Sequence, residues 1–393
     1  MEKTLGARGK RLKELLLRRI RTEGPIPFSQ FMEWCLYHPD YGYYSAGPEI
    51  GKDGDYYTSP SVHPLFGHLL AKQLLQMCEI LNEEGEEPFE VIEMAPGRGF
   101  LCQDILEWAE RKSPPFYDRL KYYLVDRSHA FFREQEQRLS RHEKAGRLTW
   151  RGTTELFEQE QNIRGCILSN ELVDAFPVHR LTFHEGRWKE IYVEEGEGGF
   201  LERCGELSDP RLETYFNGLE LSPVEGQTVE VSLQALEWIT KVARSLQKGF
   251  VMTIDYGFPA HELYAPHRLE GTFRCYFRNR ISQNPYERLG EQDMTSHVNF
   301  TVLMEKGEAE GLKLTGFVPQ YRFLLALGLL DELSSQTEGL SETEALQLRL
   351  SAKHWIDPDL GMGEAMKVLI QHKGIENPRL DGLRDLDAIE VAF

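Results

Sequence analysis

The chain has 393 residues and a formal net charge of −18 at pH 7, with 41% hydrophobic and 27% charged residues. This apolar fraction supports a sizeable core, and the charged fraction is typical of a globular chain. The negative balance argues against sequence-independent binding of nucleic acid, which requires a basic face. No apolar run approaches the roughly 18 residues that a membrane-spanning helix requires.

The six cysteines are scattered, and no two of them form a Cys-x-x-Cys pair. This spacing favours reduced, mostly buried thiols over a disulfide framework, and it offers no zinc site. The basic amino terminus lacks the apolar segment of a secretory signal. A mitochondrial presequence is a weaker alternative, because Glu14 and the helical pattern around it favour folded protein.

The first 82 residues are predicted to form a helical subdomain with an aromatic loop. Apolar residues at helical spacing predict a helix over residues 8–21, and a second helix covers residues 28–36 with Ser29 as its cap. The loop that follows, residues 37–57, is rich in tyrosine and glycine, and long loops of this kind are often functional. An amphipathic helix over residues 62–82 ends at a segment rich in glutamate and glycine, which we interpret as a boundary.

From residue 89 onwards, short apolar segments alternate with helical patterns. This order predicts a doubly wound α/β fold whose sheet has about seven mostly parallel strands, with the last pair antiparallel. The predicted strands are residues 89–93, 120–125, 147–150, 166–168, 249–254, 312–317 and 366–370. The predicted helices are residues 101–111, 130–139, 233–246, 300–310 and most of 319–354.

Two insertions interrupt this alternation, at about residues 178–230 and at 257–298. The first begins with a predicted β-hairpin of residues 178–183 and 188–193. We therefore divide the chain into an amino-terminal subdomain (1–82), a core with both insertions (83–373) and a tail (374–393). The amino-terminal subdomain and the second insertion are expected to cover the carboxyl edge of the sheet.

The segment 93–101 joins the first strand of the core to its helix through Gly97 and Gly99. A glycine loop that leads into a helix presents backbone N–H groups to a nucleotide-like ligand. Asp126 ends the next strand, where an acid can accept hydrogen bonds from both hydroxyls of a ribose. Each feature has a structural alternative, a tight turn for the loop and a helix cap for Asp126. The glycine loop and Asp126 together favour a ligand site over these alternatives.

Two ligand classes suit such a site. A nicotinamide dinucleotide needs N–H groups for a pyrophosphate, and the spacing here departs from the Gly-x-Gly-x-x-Gly pattern of dinucleotide loops. S-adenosylmethionine has no phosphate and carries an ammonium, a carboxylate and a sulfonium. Glu93 next to the loop and the acidic balance of the chain favour this cationic ligand.

Polar residues follow the fourth and fifth strands at the same edge. Asn170, Glu171 and Asp174 lie in one turn, and Asp255 follows the next strand. Such carboxylates can orient a cationic acceptor and receive its proton, whereas the structural alternative is a capped turn. In the second insertion, Asp293 and His297 are four residues apart, which would place them on one helix face.

Five segments, in order along the chain, resemble the MidA family of class I S-adenosylmethionine-dependent methyltransferases: residues 26–44, 54–60, 93–101, 169–179 and 271–300. The resemblance covers about residues 8–373. Mitochondrial members of that family methylate an arginine of a complex I subunit and assist complex I assembly. The resemblance therefore implies S-adenosylmethionine as cofactor and a protein substrate, which could be a complex I subunit.

The residues and the resemblance together assign three groups of site residues. The expected cofactor-binding residues are Glu93, Ala95, Gly97, Gly99, Asp126 and Asn170. The expected catalytic residues are Asn170, Glu171, Asp174 and Asp255. The expected substrate-binding residues are Tyr57, Thr58, Ser59, Pro60 and His297. No metal site and no nucleic-acid partner are expected.

Three positions depart from the family pattern. Ala95 stands where glycine is usual, Phe100 where a small residue is common, and Asn299 where an acid is frequent. Ala95 adds only a methyl group, so cofactor binding is expected to persist if the turn keeps a negative φ. Phe100 is expected to narrow the pocket.

Two alternatives to a methyltransferase stay open at this point. The chain could be a cofactor-binding assembly factor that holds a partner protein with little or no catalysis. An NAD-linked oxidoreductase is the weaker alternative, because the dinucleotide loop is incomplete. The expected location is the cytoplasm for a bacterial chain and the mitochondrial matrix for a eukaryotic one.

Overall fold

The computed structural model describes most of the chain, in seven stretches: residues 6–47, 63–81, 87–128, 130–159, 162–338, 340–356 and 364–385. The helices of this part are α1 (Ala7–Glu23), α2 (Phe28–Tyr37), α3 (Leu65–Leu81), α4 (Phe100–Lys112), α5 (Pro114–Arg119), α6 (Phe132–Lys144), α7 (Thr153–Gln159), α8 (Pro210–Thr214), α9 (Leu233–Ser245), α10 (Ala260–Leu263), α11 (Phe300–Ala309), α12 (Gln320–Ala326), α13 (Leu329–Thr337) and α14 (Glu342–Ile356).

The strands of the same stretches are β1 (Ile26–Pro27), β2 (Phe89–Met94), β3 (Leu120–Asp126), β4 (Leu148–Gly152), β5 (Ile163–Asn170), β6 (His179–His184), β7 (Arg187–Gly196), β8 (Gly199–Gly205), β9 (Thr228–Val231), β10 (Leu246–Phe258), β11 (Arg274–Phe277), β12 (Arg280–Ser282), β13 (Asp293–Thr295), β14 (Val298–Asn299), β15 (Lys313–Pro319) and β16 (Met366–Lys373).

The central sheet has the strand order β15-β16-β10-β5-β2-β3-β4, and β14 pairs with the end of β10. Strands β2, β3, β4, β5 and β10 are parallel, whereas β16 is antiparallel to both β10 and β15. The prediction of about seven, mostly parallel strands with an antiparallel last pair is confirmed, and the two-residue strand β14 adds an eighth. The strand order also explains the position of the site described below.

The strand order reverses at β2. The chain runs outwards from β2 to β3 and β4, then returns to β5 on the other side of β2. In such sheets the loops after the two central strands diverge, and ligands bind in the crevice between them. The register places Met94 at the end of β2 beside both Val125 of β3 and Ser169 of β5. The loops after these three strands therefore meet at one edge.

Helices cover both faces of the sheet because its central strands are apolar on both sides. In β5, Cys166 and Leu168 belong to the apolar cluster under α3 and α4, whereas Ile167 belongs to the cluster under α9 and α11. Continuous burial of this kind is typical of parallel strands enclosed by helices. Ser232 begins α9 as its cap, since its Oγ accepts a hydrogen bond from the Ala235 N–H over 3.2 Å.

A second, five-stranded sheet lies against the amino-terminal helices. Its order is β1-β7-β6-β9, and β8 pairs with β7. The predicted hairpin is confirmed as β6 and β7, with Phe183 opposite Trp188. The prediction was incomplete, because the sheet also takes β1 from the amino-terminal segment, where Ile26 pairs with Val193. Helices α1 and α2 share one apolar cluster with this sheet, so the amino-terminal helices pack directly on the first insertion.

Two local predictions were wrong. Ser29 does not cap α2: the helix begins after Pro27, and no side-chain cap bond is formed there. Asp293 and His297 do not share a helix face, because Asp293 lies in strand β13 of a small sheet with the order β12-β11-β13. The spacing of four residues suggested a helix, but the antiparallel pairing of β13 with β11 determines the conformation.

Across the described stretches, no helix is both long and apolar enough to cross a membrane. The same stretches contain no group of three or more His, Cys, Asp or Glu side chains arranged to hold a metal ion.

Candidate active site

A cavity of about 550 Å³ opens at the carboxyl edge of the central sheet, at the point where the strand order reverses. Its walls come from the loops after β2, β3 and β5, from the start of α9 and from α2. The residues of the three loops are Glu93, Met94, Ala95, Pro96, Gly97, Arg98, Val125, Asp126, Arg127, Ser128, Asn170, Glu171, Leu172, Ala175, Phe176 and Pro177. The volume lies in the range of ordinary small-molecule sites.

The loop after β2 has an unusual backbone. Ala95, Gly97 and Gly99 have φ values of +55°, +51° and +77°. Gly99 precedes the first turn of α4, so the loop turns the N-terminal amides of that helix towards the cavity edge. The condition of a negative φ at Ala95, on which the expected tolerance of this residue depended, is therefore not met. An L-residue with a side chain adopts this region at a cost of about 1–2 kcal/mol.

Glu93 lies at the end of β2, on the cavity wall, and is only 3% exposed. The Tyr122 hydroxyl donates a hydrogen bond to its Oε2 over 2.7 Å. Burial raises the pKa of Glu93 to about 8, although the bond from Tyr122 lowers it in part. The carboxyl is therefore largely protonated at neutral pH unless a cation lies next to it.

Asp126 lines the cavity at the end of β3. Its Oδ1 accepts a hydrogen bond from the Ser128 N–H over 2.9 Å. The turn-capping role considered as the structural alternative is thus present. This hydrogen bond uses Oδ1, and the Asp126 side chain still lines the cavity. The geometry is therefore compatible with both interpretations of Asp126, as a turn cap and as a ribose ligand.

The turn after β5 brings Asn170 and Glu171 onto the cavity wall. Glu171 adopts a φ of +52°, and its Oε1 accepts a hydrogen bond from the Asn170 amide over 3.2 Å. A glutamate in this left-handed region is uncommon and is held by its surroundings. Its backbone N–H donates to the Ile254 carbonyl of β10 over 2.9 Å, which ties the turn to the neighbouring strand.

The other two expected catalytic residues do not line the cavity. Asp255 is fully buried beneath the turn, and its Oδ2 accepts hydrogen bonds from the N–H groups of Leu172 (3.1 Å), Val173 (2.8 Å) and Asp174 (3.4 Å). Its Oδ1 accepts from the Tyr256 N–H over 2.8 Å. The geometry corrects the expected role: Asp255 holds the backbone of the turn.

Asp174 is also buried, at 6% exposure. Burial and the neighbouring Asp255 raise the pKa of Asp174 well above its usual value, and burial raises that of Asp255 to about 7. The four N–H groups that point at Asp255 stabilise its charge, so Asp174 is the protonated member of the pair. A neutral, buried Asp174 does not fit the expected proton acceptor.

Aromatic side chains from α2 and from the segment after it line the cavity. Trp34, Tyr37 and Tyr44 all line it, and the Tyr37 hydroxyl donates to the Ala175 carbonyl over 3.0 Å. The Arg127 guanidinium lies 4.7 Å from the centre of the Tyr37 ring. The amino-terminal segment thus contributes to the cavity wall, whereas no residue of the second insertion lines the cavity.

Of the expected substrate-binding residues, only His297 belongs to the described part of the chain, and it does not line this cavity. Tyr57, Thr58, Ser59 and Pro60 lie outside the described residues. His297 lines a separate small cavity with Tyr264 and Asn299. Its ring stacks with that of Tyr256 and contacts that of Phe258 at a tilt.

One polar pair on the cavity wall was not predicted. His179 begins β6 and lines the cavity, and its Nδ1 lies 2.6 Å from Oε1 of the buried Glu190 on β7. His179 belongs to the segment 169–179 that carries the family resemblance. Its partner lies across a hairpin, so local sequence spacing gave no signal for the pair.

Comparisons with known proteins agree with this geometry. The family model described as "Putative S-adenosyl-L-methionine-dependent methyltransferase" matches residues 69–318. The mitochondrial protein arginine methyltransferase NDUFAF7 homolog of Drosophila melanogaster is 26% identical over 396 residues, which cover 94% of this chain and 86% of that protein. Human mitochondrial protein arginine methyltransferase NDUFAF7 is 23% identical, over 93% of this chain and 84% of that protein.

A solved structure is also similar. A crystal structure of a Burkholderia thailandensis protein bound to S-adenosyl-homocysteine has a TM-score of 0.85 and 28% sequence identity to this chain. The match covers 96% of this chain and 97% of that one. The similarity therefore includes the amino-terminal helices and the second sheet as well as the central sheet.

Proposed function

The chain belongs to the MidA family of class I S-adenosylmethionine-dependent methyltransferases, and from this premise we propose that it methylates an arginine side chain of a protein. The relatives that support this acceptor are named as protein arginine methyltransferases. The cavity supports it through Glu171, a carboxylate on its wall that suits a guanidinium.

The residues present fit S-adenosylmethionine. We propose that the N–H groups at the start of α4 and the loop through Gly97 hold the methionine portion, and that Asp126 binds the ribose hydroxyls. Glu93 would face the ammonium group. When bound, the cofactor would supply an activated methyl group on its sulfonium, with the neutral thioether as the leaving group. The nicotinamide alternative loses its support, since the similar structure holds S-adenosyl-homocysteine.

Glu93 also couples protonation to cofactor binding in this proposal. Its raised pKa of about 8 means that the neutral acid predominates at pH 7 in the free protein. A neighbouring ammonium favours the carboxylate and lowers that pKa. Cofactor binding at neutral pH should therefore release close to one proton.

On the acceptor side, we propose that Glu171 orients the guanidinium and that Asn170 fixes the Glu171 carboxylate through its amide. Asp255 is a positioning residue, because it acts only through the backbone of the turn. Trp34, Tyr37 and Tyr44 would limit water at the reacting atoms. A contribution of residues 57–60 to substrate binding stays a prediction, as does a complex I subunit as the partner.

The location of this chain also stays a prediction. The relatives are mitochondrial by name, and the bacterial cytoplasm remains the expectation for a bacterial chain.

The proposal can be tested with S-adenosylmethionine labelled on the methyl group and an extract of cells that lack this protein. Transfer of label to protein, followed by recovery of methylarginine after acid hydrolysis, is the expected result. Label on another amino acid would exclude arginine. Tight binding of S-adenosyl-homocysteine without any transfer would favour the assembly factor.

A Glu171→Gln variant should lower the rate of transfer by about 10²-fold or more, in the range found when one charge-stabilising group is removed from an active site. The matched control is Glu185→Gln. Glu185 also has a φ of +52° but lies exposed in the turn between β6 and β7. An equal loss in both variants would show that Glu171 has no specific role.

A further inference from the structure

His179 is held in a fixed orientation on the cavity wall. Its Nδ1 lies 2.6 Å from Oε1 of Glu190, and the second oxygen of Glu190 accepts a hydrogen bond from the Ser208 N–H over 2.6 Å. The side chain of Glu190 is 0% exposed, whereas that of His179 is 14% exposed. Both oxygens of the buried carboxylate therefore have partners, and the imidazole has one nitrogen fixed.

The strand pairing explains this contact. Glu190 of β7 lies opposite Leu181 of β6, and His179 is two residues before Leu181 on the same strand. Residues two apart on a strand share a face, so His179 and Glu190 are diagonal neighbours on one face of the second sheet. The hairpin thus sets the position of the ring relative to the cavity.

The other ring nitrogen is available for chemistry. An ionised carboxylate only accepts hydrogen bonds, so the contact with Glu190 places the proton of a neutral imidazole on Nδ1. Nε2 then carries the lone pair. Among the described residues, no group forms a hydrogen bond with Nε2. Nε2 is also not one of the fully buried side-chain atoms that lack a hydrogen-bond partner.

The surroundings of the ring are polar on several sides. Ser29 of α2 lines the cavity beside it, with its Oγ 3.4 Å from Nδ1. Asp209 interacts with His179 electrostatically, and Arg211 of α8 pairs with Asp209 and also lines the cavity. Glu190, Asp209 and Arg211 are therefore the charged groups around this part of the cavity wall.

We infer that His179, oriented by Glu190, accepts the proton that the acceptor nitrogen loses during methyl transfer. The inference rests on the proposed function for the identity of the acceptor, but not for the existence of the step, since any N–H or O–H acceptor must lose a proton. It gives the cavity two different groups: Glu171 to hold the cation and His179 to remove the proton.

The step balances without a further reactant. The bond from the methyl carbon to the acceptor nitrogen forms with the nitrogen lone pair while the carbon–sulfur bond breaks, and its electron pair stays on sulfur. The proton of the acceptor nitrogen moves to Nε2 of His179, which becomes an imidazolium. The buried carboxylate of Glu190 stabilises that charge through Nδ1–H, as in other acid-paired histidines.

A structural role is the competing interpretation, since the pair also joins β6 to β7. The chain offers a matched control for it. His184 lies on the same strand and pairs with Glu225, with Nδ1 and Oε1 2.5 Å apart, but both side chains are about three-fifths exposed, at 58% and 61%. This second pair does not line the cavity.

The test compares His179→Asn with His184→Asn. Asparagine keeps an N–H donor near the position of Nδ1 and removes Nε2, so the contact with Glu190 can persist without a base. The measurement is total methyl transfer from labelled S-adenosylmethionine at saturating concentration to the protein extract, between pH 6 and 9. Saturation keeps the titration of Glu93, which affects cofactor binding, out of the rate.

We expect His179→Asn to lower this rate of transfer by about 10²–10⁴-fold, to lose any rise of the rate with pH and to bind S-adenosyl-homocysteine within about threefold of wild type. His184→Asn should match wild type in all three. Partial recovery of His179→Ala by added imidazole would support the assignment further. A His179→Asn variant that binds S-adenosyl-homocysteine normally and keeps its rate and pH profile would overturn it.

The same assay separates this inference from the proposed function. The amino acid that carries the label identifies the acceptor, whereas the effect of His179→Asn on total label tests the proton acceptor. Label on lysine with a strong effect of His179→Asn would reject arginine and keep His179. If His179→Asn loses cofactor binding or its melting transition, Glu190→Gln is the deciding variant. An unchanged rate of transfer and pH profile in a folded Glu190→Gln variant would overturn the inference.

Discussion

Replacing Glu93 with glutamine tests the electrostatics of the cavity wall. Burial raises the pKa of the Glu93 carboxyl from 4.5 to about 8. Between these values the folded chain binds a proton that the unfolded chain has lost. The free energy of unfolding therefore falls as pH rises from about 4.5 to 8, and this loss is complete above the folded-state pKa.

Glutamine keeps an acceptor for the Tyr122 hydroxyl and does not titrate. One pKa unit corresponds to about 1.4 kcal/mol, so the variant should gain about 2–3 kcal/mol relative to wild type between pH 6 and pH 8. Full burial of Glu93 means that solvent screening does not reduce this figure much. Asp174 and Asp255 titrate in the same direction, but they are present in both proteins and cancel in the difference.

The measurement is urea denaturation of the cofactor-free protein at pH 6, 7 and 8, followed by tryptophan fluorescence. Tyr122→Phe serves as a second variant: loss of the donor to Oε2 raises the pKa of Glu93 further and extends the pH dependence upwards. Parallel curves of unfolding free energy for wild type and Glu93→Gln across pH 6–8 would refute the reasoning.

Three further predictions concern the loops at the sheet edge. Asp126→Ala should weaken the binding of S-adenosyl-homocysteine more than tenfold, or about 1.4 kcal/mol, as measured by calorimetry. Asp118→Ala, at an exposed position, is the control. An unchanged affinity of Asp126→Ala would exclude Asp126 as the ribose ligand. Ala95→Gly relieves the strain of a left-handed φ of +55°, and this gain exceeds the entropic cost of ordering a glycine. The variant should therefore be more stable by about 0.5–1 kcal/mol, and a lower free energy of unfolding in urea would contradict this. Asp255→Asn removes a charged acceptor of backbone N–H groups, so it should lower the free energy of unfolding by about 2 kcal/mol. It should also lower kcat more than cofactor affinity. A variant as active and stable as wild type would show that the turn does not need this carboxylate.

The sequence predicted the central sheet well because its signals are local. Each parallel strand is a short apolar run, and each is followed by a helical pattern or a turn, so the alternation can be read within a few residues. The glycine loop and Asp126 were found for the same reason: the carboxyl ends of parallel strands meet at one edge whatever the details of packing. The cofactor followed from that edge and from the family resemblance.

The second sheet could not be predicted to its full extent. Its strand β1 has only two residues, Ile26 and Pro27, and pairs with a strand more than 150 residues later. Such a pairing has no local pattern. The prediction therefore stopped at the hairpin β6–β7, whose strands are joined by a short turn.

The roles of the individual polar residues at the sheet edge also depended on the tertiary structure. Asn170, Glu171, Asp174 and Asp255 look equivalent in the sequence, since all follow strands of the sheet. The structure separates them: Asn170 and Glu171 line the cavity, whereas Asp174 and Asp255 lie beneath the turn. Burial then decides which of them are charged, and burial is a property of the packed chain.

The sequence by itself determined that a ligand site lies at the end of the first strands and that its ligand is nucleotide-like, because strand, glycine loop and helix are consecutive in the chain. Only the tertiary structure decided that Ala95 takes a left-handed φ, that Asp255 supports the turn and that His179 meets Glu190 beside the cavity. These features depend on strand register and on contacts between distant segments, where a shift of one residue would turn each side chain to the opposite face of its strand.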